Sequence, residues 1–153
     1  MEMPPEVLKL LEEEKFCSLA TSYQDQPHVS LMNFTYLPQE EVFILSSRPD
    51  TTKVHHIKNN PEAALLLFSP GGEGGSPLSC TLYGTAFLAE GEKESFYREA
   101  HYQKNRDMGQ FIMDEDIRII IINIRKVALT DIKDRVRTWS INPAQEKEGE
   151  IHG

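Results

Sequence analysis

The sequence has few cysteines and no long apolar run. Cys17 and Cys80 do not form a CxxC pair, and two cysteines cannot make a disulfide framework. Both lie in apolar segments, which predicts buried thiols in a reducing compartment, with a redox pair as the alternative. No run of about 18 apolar residues occurs, so we expect no transmembrane helix. Residues 1–5 lack a basic segment followed by an apolar one, so we expect no signal peptide and a cytoplasmic protein.

Basic residues are also scarce. The chain has 16 Lys and Arg against 24 Asp and Glu, which gives a formal net charge of -8. Such a surface repels polyphosphates, so the composition predicts no nucleic-acid partner and no anionic membrane partner. A small anionic ligand held in a local pocket remains compatible with this charge.

The usual catalytic and phosphate-loop motifs are absent. The sequence contains no GxSxG, GxxxxGK or GxGxxG, and the glycine-rich stretch 69–77 is interpreted as a connecting loop. His55 and His56 are adjacent, so on a helix they point in different directions and cannot chelate one metal ion together. We therefore predict no metal site, and no residue can be named as a catalytic acid or base.

Apolar stretches rich in β-favouring residues alternate with turn residues along most of the chain. They predict helices over 4–15, 50–59 and 92–111, and strands over 16–23, 28–37, 41–47, 63–68, 78–90, 116–123, 126–132 and 135–140. The first three strands are predicted to form an antiparallel meander. Gly84, inside a strand, indicates a bulge or a close backbone approach. The pattern favours an α+β fold of about six mostly antiparallel strands in a barrel or sandwich.

The stretch from Ser46 to Lys53 carries the strongest local chemistry. Its sequence, SSRPDTTK, places four hydroxyls, an arginine and a lysine before a short helix. Helix N-termini offer free N–H groups and a positive dipole end, and hydroxyls and lysine are phosphate ligands. Asp50 is the expected N-cap and would compete for those N–H groups. Two interpretations stay open here, a phosphate site and an ordinary capped turn.

The order of these segments resembles the pyridoxamine 5'-phosphate oxidase-like family of FMN-binding split barrels. The resemblance covers 5–140 and rests on FCSLATS, QPHVSLMNFTY, VFILSSRPDTTK, VHHIKNNPEAALLLF, CTLYGTAFLAEGE and IRIIIINIRKVALTD. It implies a six-stranded split β-barrel with short flanking helices. Residues 1–140 are expected to form this FMN-binding domain, and 141–153 a polar, disordered tail.

The family resemblance also implies a site. Family members are homodimers with FMN at the subunit interface, so Ser46, Ser47, Thr52 and Lys53, with Thr51, are expected to face the FMN phosphate and ribityl chain. The run Ser30, Leu31, Met32 and Asn33 is expected to lie along the flavin ring. Ser79 and Trp139 are expected to approach the flavin from the partner chain. For Trp139, packing in the core or the dimer interface is the alternative.

Two classes of function follow. The first is an FMN-dependent oxidoreductase acting on an unidentified small molecule. The second is a non-catalytic module that carries a flavin or a haem, with His28, His55 or His56 as possible haem ligands. A deazaflavin coenzyme is a third occupant of the same kind of pocket. The family's oxidases carry basic residues where this chain has Ser30, Thr35 and Thr52, and their substrate-holding C-terminal segment has no match here. We therefore do not expect a true pyridoxamine phosphate oxidase.

Overall fold

The computed structural model describes residues 3–71 and 75–140. Within these residues the α-helices are α1 (Pro5–Glu13), α2 (Thr52–Asn59), α3 (Gly91–Lys104) and α4 (Gly109–Ile112). The strands are β1 (Phe16–Tyr23), β2 (Gln26–Asn33), β3 (Thr35–Leu37), β4 (Val42–Ser47), β5 (Glu62–Ser69), β6 (Leu78–Leu88), β7 (Arg118–Asp131) and β8 (Val136–Ser140).

All the strands join one antiparallel sheet. Its order is β2-β1-β5-β6-β7-β4-β3, and β8 pairs with β7. The sheet is curled into a half-barrel, which confirms the α+β, mostly antiparallel split-barrel fold. The expected count of six strands is wrong, because residues 3–71 and 75–140 form eight.

One of the additional strands comes from a break at Phe34. The predicted strand 28–37 is two strands, β2 and β3, which pair with β1 and β4 respectively. The side chain of Phe34 is buried, and its ring lies 5.4 Å from that of Phe43. The predicted three-stranded meander is therefore wrong, since β2 and β3 lie at opposite ends of the sheet order.

Gly84 marks the bulge that the sequence indicated. Tyr83 pairs with Lys126 and Gly84 with Ile124, so Arg125 is the extra residue of β7. A Cβ on Gly84 would lie 2.2 Å from the carbonyl oxygen of Asn123. The bulge keeps β7 continuous over Arg118–Asp131, so the predicted division into 116–123 and 126–132 is wrong.

Two apolar cores hold the sheet. The larger one lies inside the half-barrel and includes Val7 and Leu10 of α1 together with both cysteines. Burial raises the pKa of Cys17 and of Cys80 to about 12, so both thiols are protonated and inert. The smaller core packs Tyr97 of α3 on the other side of β4 and β7. These two strands are thus covered on both faces.

The predicted helix 92–111 is also corrected. It ends at Lys104, and a 3₁₀ turn over Arg106–Met108 separates it from α4. The predicted tail 141–153 lies outside the described residues. Among the helices that the structure describes, none is long and apolar enough to cross a membrane.

Candidate functional site

A cleft of about 270 Å³ lies where β2 and β4 end and α2 begins, and α4 closes its far side. Seven of the expected site residues line it: Leu31, Met32, Asn33, Ser46, Ser47, Thr51 and Lys53. Three further residues line it. Arg48 lies inside the predicted anion-binding stretch 46–53 but was not among the expected FMN contacts, and Met108 and Phe111 were not predicted from the sequence. A larger, shallow hollow of about 770 Å³ adjoins the cleft and shares Met108 and Phe111 with it.

Hydroxyl groups shape the turn from β4 into α2. Ser46 and Ser47 are buried at the end of β4, and the Ser47 Oγ donates a hydrogen bond of 2.9 Å to the carbonyl oxygen of Arg48. The Thr51 Oγ1 lies 2.9 Å from the Ser47 Oγ and accepts from the backbone N–H of Val54. Thr51 is therefore the N-cap, and the expectation that Asp50 caps this helix is wrong.

This capping arrangement changes the electrostatics of the turn. Asp50 is exposed and does not line the cleft, so its carboxylate does not occupy the helix N-terminus. The first N–H groups of a helix have no acceptor inside the helix. These N–H groups lie at the N-terminal end of α2, which is also the end that carries the Ser47 and Thr51 hydroxyls. Asp50 therefore does not compete with an anionic ligand for these N–H groups, as the sequence had suggested it would.

Among the described residues, two cations and no carboxylate line the cleft. Over residues 3–71 and 75–140, neither Arg48 nor Lys53 forms an ion pair. Burial lowers the pKa of Lys53 from its usual value. The Arg48 guanidinium lies 5.8 Å from the centre of the Phe111 ring. In a chain with net charge -8, two unpaired cations in one cleft favour an anionic ligand.

The remaining expected residues lie elsewhere. Thr52 is exposed at the start of α2. Ser30 faces the barrel interior, and its buried Oγ has no hydrogen-bond partner among the described residues. Ser79 is on the outer side of β6. Trp139 packs against the larger core, and the Arg137 guanidinium lies 5.5 Å from its ring. Within this chain the structure does not bring these four residues into the cleft.

The outer side of the sheet next to the cleft carries two rows of apolar and hydroxyl side chains. One row of paired residues crosses six strands, from Leu31 through Ser18, Leu66, Thr81 and Ala128 to Thr138. A parallel row contains Phe68, Ser79, Thr130 and Val136. We call these two rows the outward face; they contain no charged residue. Leu31 is 71% exposed and belongs both to this face and to the cleft.

Metal ligands do not gather at the cleft. Among the described residues, no three His, Cys, Asp or Glu side chains are placed to hold a metal ion. His28, His55 and His56 do not line the cleft. The Nδ1 of His56, a buried residue, lies 3.0 Å from the Thr21 Oγ1. The three histidines considered as haem ligands are therefore outside this site.

A buried histidine lies behind the cleft and should make stability depend on pH. His101 is fully buried, its Nδ1 lies 2.8 Å from the Thr35 Oγ1, and burial lowers its pKa to about 4. Between about pH 6.5 and pH 4 the unfolded chain binds the proton and the folded chain does not. This histidine therefore does not lower the free energy of unfolding above pH 6.5, and it lowers it progressively as pH falls toward 4.

We expect this histidine alone to lower the free energy of unfolding by about 2 kcal/mol between pH 7.5 and pH 5. Urea unfolding of the wild type and of His101→Gln at both pH values measures the effect. The variant should lose less stability on acidification than the wild type. Equal losses in the two proteins would contradict a low pKa for His101.

Residues 3–131 match the family described as pyridoxamine 5'-phosphate oxidase. A Schizosaccharomyces pombe protein named as a pyridoxamine 5'-phosphate oxidase homolog is 31% identical, with 91% of each chain covered. The heme binding protein from Mycobacterium smegmatis has a similar fold, with a TM-score of 0.75 at 17% identity. That match covers 92% of this chain and 60% of the other. An FAD-binding protein from Mesorhizobium loti has a TM-score of 0.70 at 16% identity, covering 84% of this chain and 94% of that one.

Proposed function

The chain belongs to the pyridoxamine 5'-phosphate oxidase family, and from that membership we propose that it is a flavoprotein that binds FMN in the cleft. We further propose that it works as a homodimer and as a cytoplasmic oxidoreductase for a small molecule. A non-catalytic flavin carrier is the second candidate, since the fold also occurs in proteins named for binding FAD or heme.

The observation that carries the proposal is the cation pair beside the capped turn. Arg48 and Lys53 line a cleft without a carboxylate, and the Ser46, Ser47 and Thr51 hydroxyls lie at its end. A phosphate monoester carries about 1.5 to 2 negative charges at pH 7 and several acceptor oxygens. Lysine, arginine, hydroxyls and helix N–H groups are the donors that hold such a group.

The rest of the cleft suits a flavin ring. Leu31, Met32, Met108 and Phe111 supply apolar and polarisable contacts, and Asn33 supplies a polar one. Bound FMN would supply the hydride and electron chemistry. The chain's own residues would bind the phosphate, orient the ring and limit the access of water. Within the part of the chain that the structure describes, no His, Tyr, Cys or carboxylate lines the cleft, so we name no residue as a catalytic acid or base.

The homodimer proposal rests on the outward face. Leu66, Phe68 and Val136 are between 44% and 56% exposed there, and small residues lie between them. An uncharged surface that exposes several large apolar side chains supports an interaction site. A second copy packed on it would also cover Leu31 at the cleft. Ser79 lies on the same face, so the partner's hydroxyl would be brought to the interface.

Cofactor identification tests the proposal directly. The protein is purified without added cofactor, denatured, and the released molecule is identified by absorbance and mass. We expect FMN. Release of haem or a deazaflavin would show that this molecule, and not FMN, is the cofactor. A protein without any cofactor that also fails to bind added FMN would overturn the proposal. If a reduced nicotinamide reduces the bound flavin and turnover follows with an acceptor, the protein is an enzyme. If it does not, the protein is a flavin carrier.

A further inference from the structure

A buried chain of hydrogen bonds runs from α3 to the cleft. The Nδ2 of Asn105 donates to the carbonyl oxygen of His101 at 3.1 Å and to the Thr35 Oγ1 at 3.1 Å. The Nδ2 of Asn33 donates to the Oδ1 of Asn105 at 3.2 Å. Asn105 and Thr35 are buried, and Asn33 is the member of the chain that lines the cleft.

The direction of this chain is fixed by a backbone atom. A carbonyl oxygen can only accept, so the Asn105 side-chain atom facing the His101 carbonyl must be the NH₂ group. The Oδ1 of Asn105 then faces Asn33 and can also only accept. Asn33 must therefore present its own NH₂ group to Asn105. Rotating either amide would place two carbonyl oxygens against each other.

The other branch of the chain runs from Asn105 through Thr35 to the His101 ring. Because the Thr35 Oγ1 accepts from Asn105, its single proton is free to donate to the His101 Nδ1, 2.8 Å away. His101 then carries its proton on Nε2, which has no hydrogen-bond partner among the described residues. Burial keeps this ring neutral, as its low pKa indicates. A hydroxyl oxygen has two lone pairs, so Thr35 can also accept from a proton on the His101 Nδ1, and neither tautomer of His101 changes the orientation of the two asparagine amides.

The end of the chain at the cleft includes an acceptor. One N–H of the Asn33 amide is held by Asn105, which leaves its second N–H and its Oδ1, and within 3–71 and 75–140 that oxygen has no hydrogen-bond partner. We propose that Asn33 is a specificity-determining residue of the cleft, held by Asn105 so that its carbonyl oxygen selects ligands with an N–H donor at that point.

This inference rests on the proposed function and makes it more specific. The cleft would require an anionic group at the end bearing Arg48 and Lys53 and a ring N–H at Asn33. Oxidised FMN has one ring N–H, in the imide of its pyrimidine ring, as well as a phosphate. A ligand that has the phosphate but no ring N–H would leave the Asn33 oxygen without a partner. Unpaired polar groups of this kind weaken binding strongly.

The first experiment decides the amide orientation in the wild-type protein without any ligand. NMR couplings transmitted through hydrogen bonds should connect the Asn33 side-chain nitrogen with the Asn105 side-chain carbonyl carbon. A coupling in the opposite direction, from the Asn105 side-chain nitrogen to the Asn33 side-chain carbonyl carbon, would overturn the inference. This result does not depend on FMN binding.

The second experiment compares FMN with 3-methyl-FMN, in which the ring N–H is replaced by N–CH₃. The wild type should bind FMN about tenfold more tightly than the methylated form. Asn33→Ala should bind FMN about tenfold more weakly and lose most of this discrimination. Asn59→Ala, an asparagine at the end of α2 outside the cleft, should behave as the wild type.

The outcomes separate the two claims. Tight FMN binding with equal affinity for the methylated form would overturn the role of Asn33 and leave the proposed function intact. Failure of the wild type to bind FMN at all would overturn the proposed function. In that case the NMR result still decides whether Asn33 presents its carbonyl oxygen.

Discussion

Replacement of Lys53 by alanine should weaken FMN binding by roughly 10- to 100-fold. Lys53 lines the cleft, is partly buried and has no acidic partner within the described residues. Hydrogen bonds to charged groups contribute about 1.5 to 3 kcal/mol, which corresponds to that range of affinity. Equilibrium titration followed by the quenching of flavin fluorescence measures the dissociation constant.

Lys58→Ala is the matched control for this substitution. Lys58 is exposed on the same helix and does not line the cleft, so its removal changes net charge equally. Its FMN affinity should stay close to that of the wild type. The affinity of Lys53→Ala for riboflavin, which lacks the phosphate, should also be almost unchanged. Equal FMN affinities for the two lysine variants would show that the turn is an ordinary helix cap and not a phosphate site.

Replacement of Leu66 by aspartate should dissociate the proposed dimer. Leu66 lies in the middle of the row that crosses the outward face, between Ser18 and Thr81. In a dimer packed on this face, each subunit would bury an unpaired carboxylate, at a cost of several kcal/mol. The dissociation constant of the dimer should rise more than about a hundredfold. Light scattering at micromolar concentration should change from the mass of two chains to that of one.

Phe96→Asp provides the control for this prediction. Phe96 is 46% exposed against 44% for Leu66, and it lies on α3, outside the outward face. The Phe96→Asp protein should still have the mass of two chains in light scattering. Because the partner would cover the cleft at Leu31, Leu66→Asp should also bind FMN more weakly. A wild-type protein that is monomeric, or a Leu66→Asp protein that stays dimeric, would contradict the proposed interface.

The parts of the site that are local in sequence could be predicted from it. The residues Ser46, Ser47, Thr51 and Lys53 lie within eight positions, so the strand, the turn and the helix place them together without help from distant contacts. The same reasoning failed on the helix cap. Asp and Thr are both good N-cap residues, and the choice of Thr51 over Asp50 depends on its hydrogen bond with Ser47.

The distant parts could not be predicted. Met108 and Phe111 reach the cleft because α3 ends at Lys104, where Asn105 leaves the helix to bond with Asn33 and Thr35. An apolar pattern over 92–111 carries no sign of that tertiary contact. The division of the predicted strand 28–37 into β2 and β3 also depends on a tertiary contact. Both faces of this segment carry apolar residues, so periodicity could not reveal that Phe34 turns into the core.

The central proposal is that the cleft holds FMN with its phosphate at the Arg48 and Lys53 end. Titration of purified wild-type protein, freed of any bound cofactor, with FMN and with riboflavin tests this claim most directly. We expect one FMN per chain, bound more than about tenfold more tightly than riboflavin. Equal affinity for the two flavins, or no binding of either, would contradict the claim.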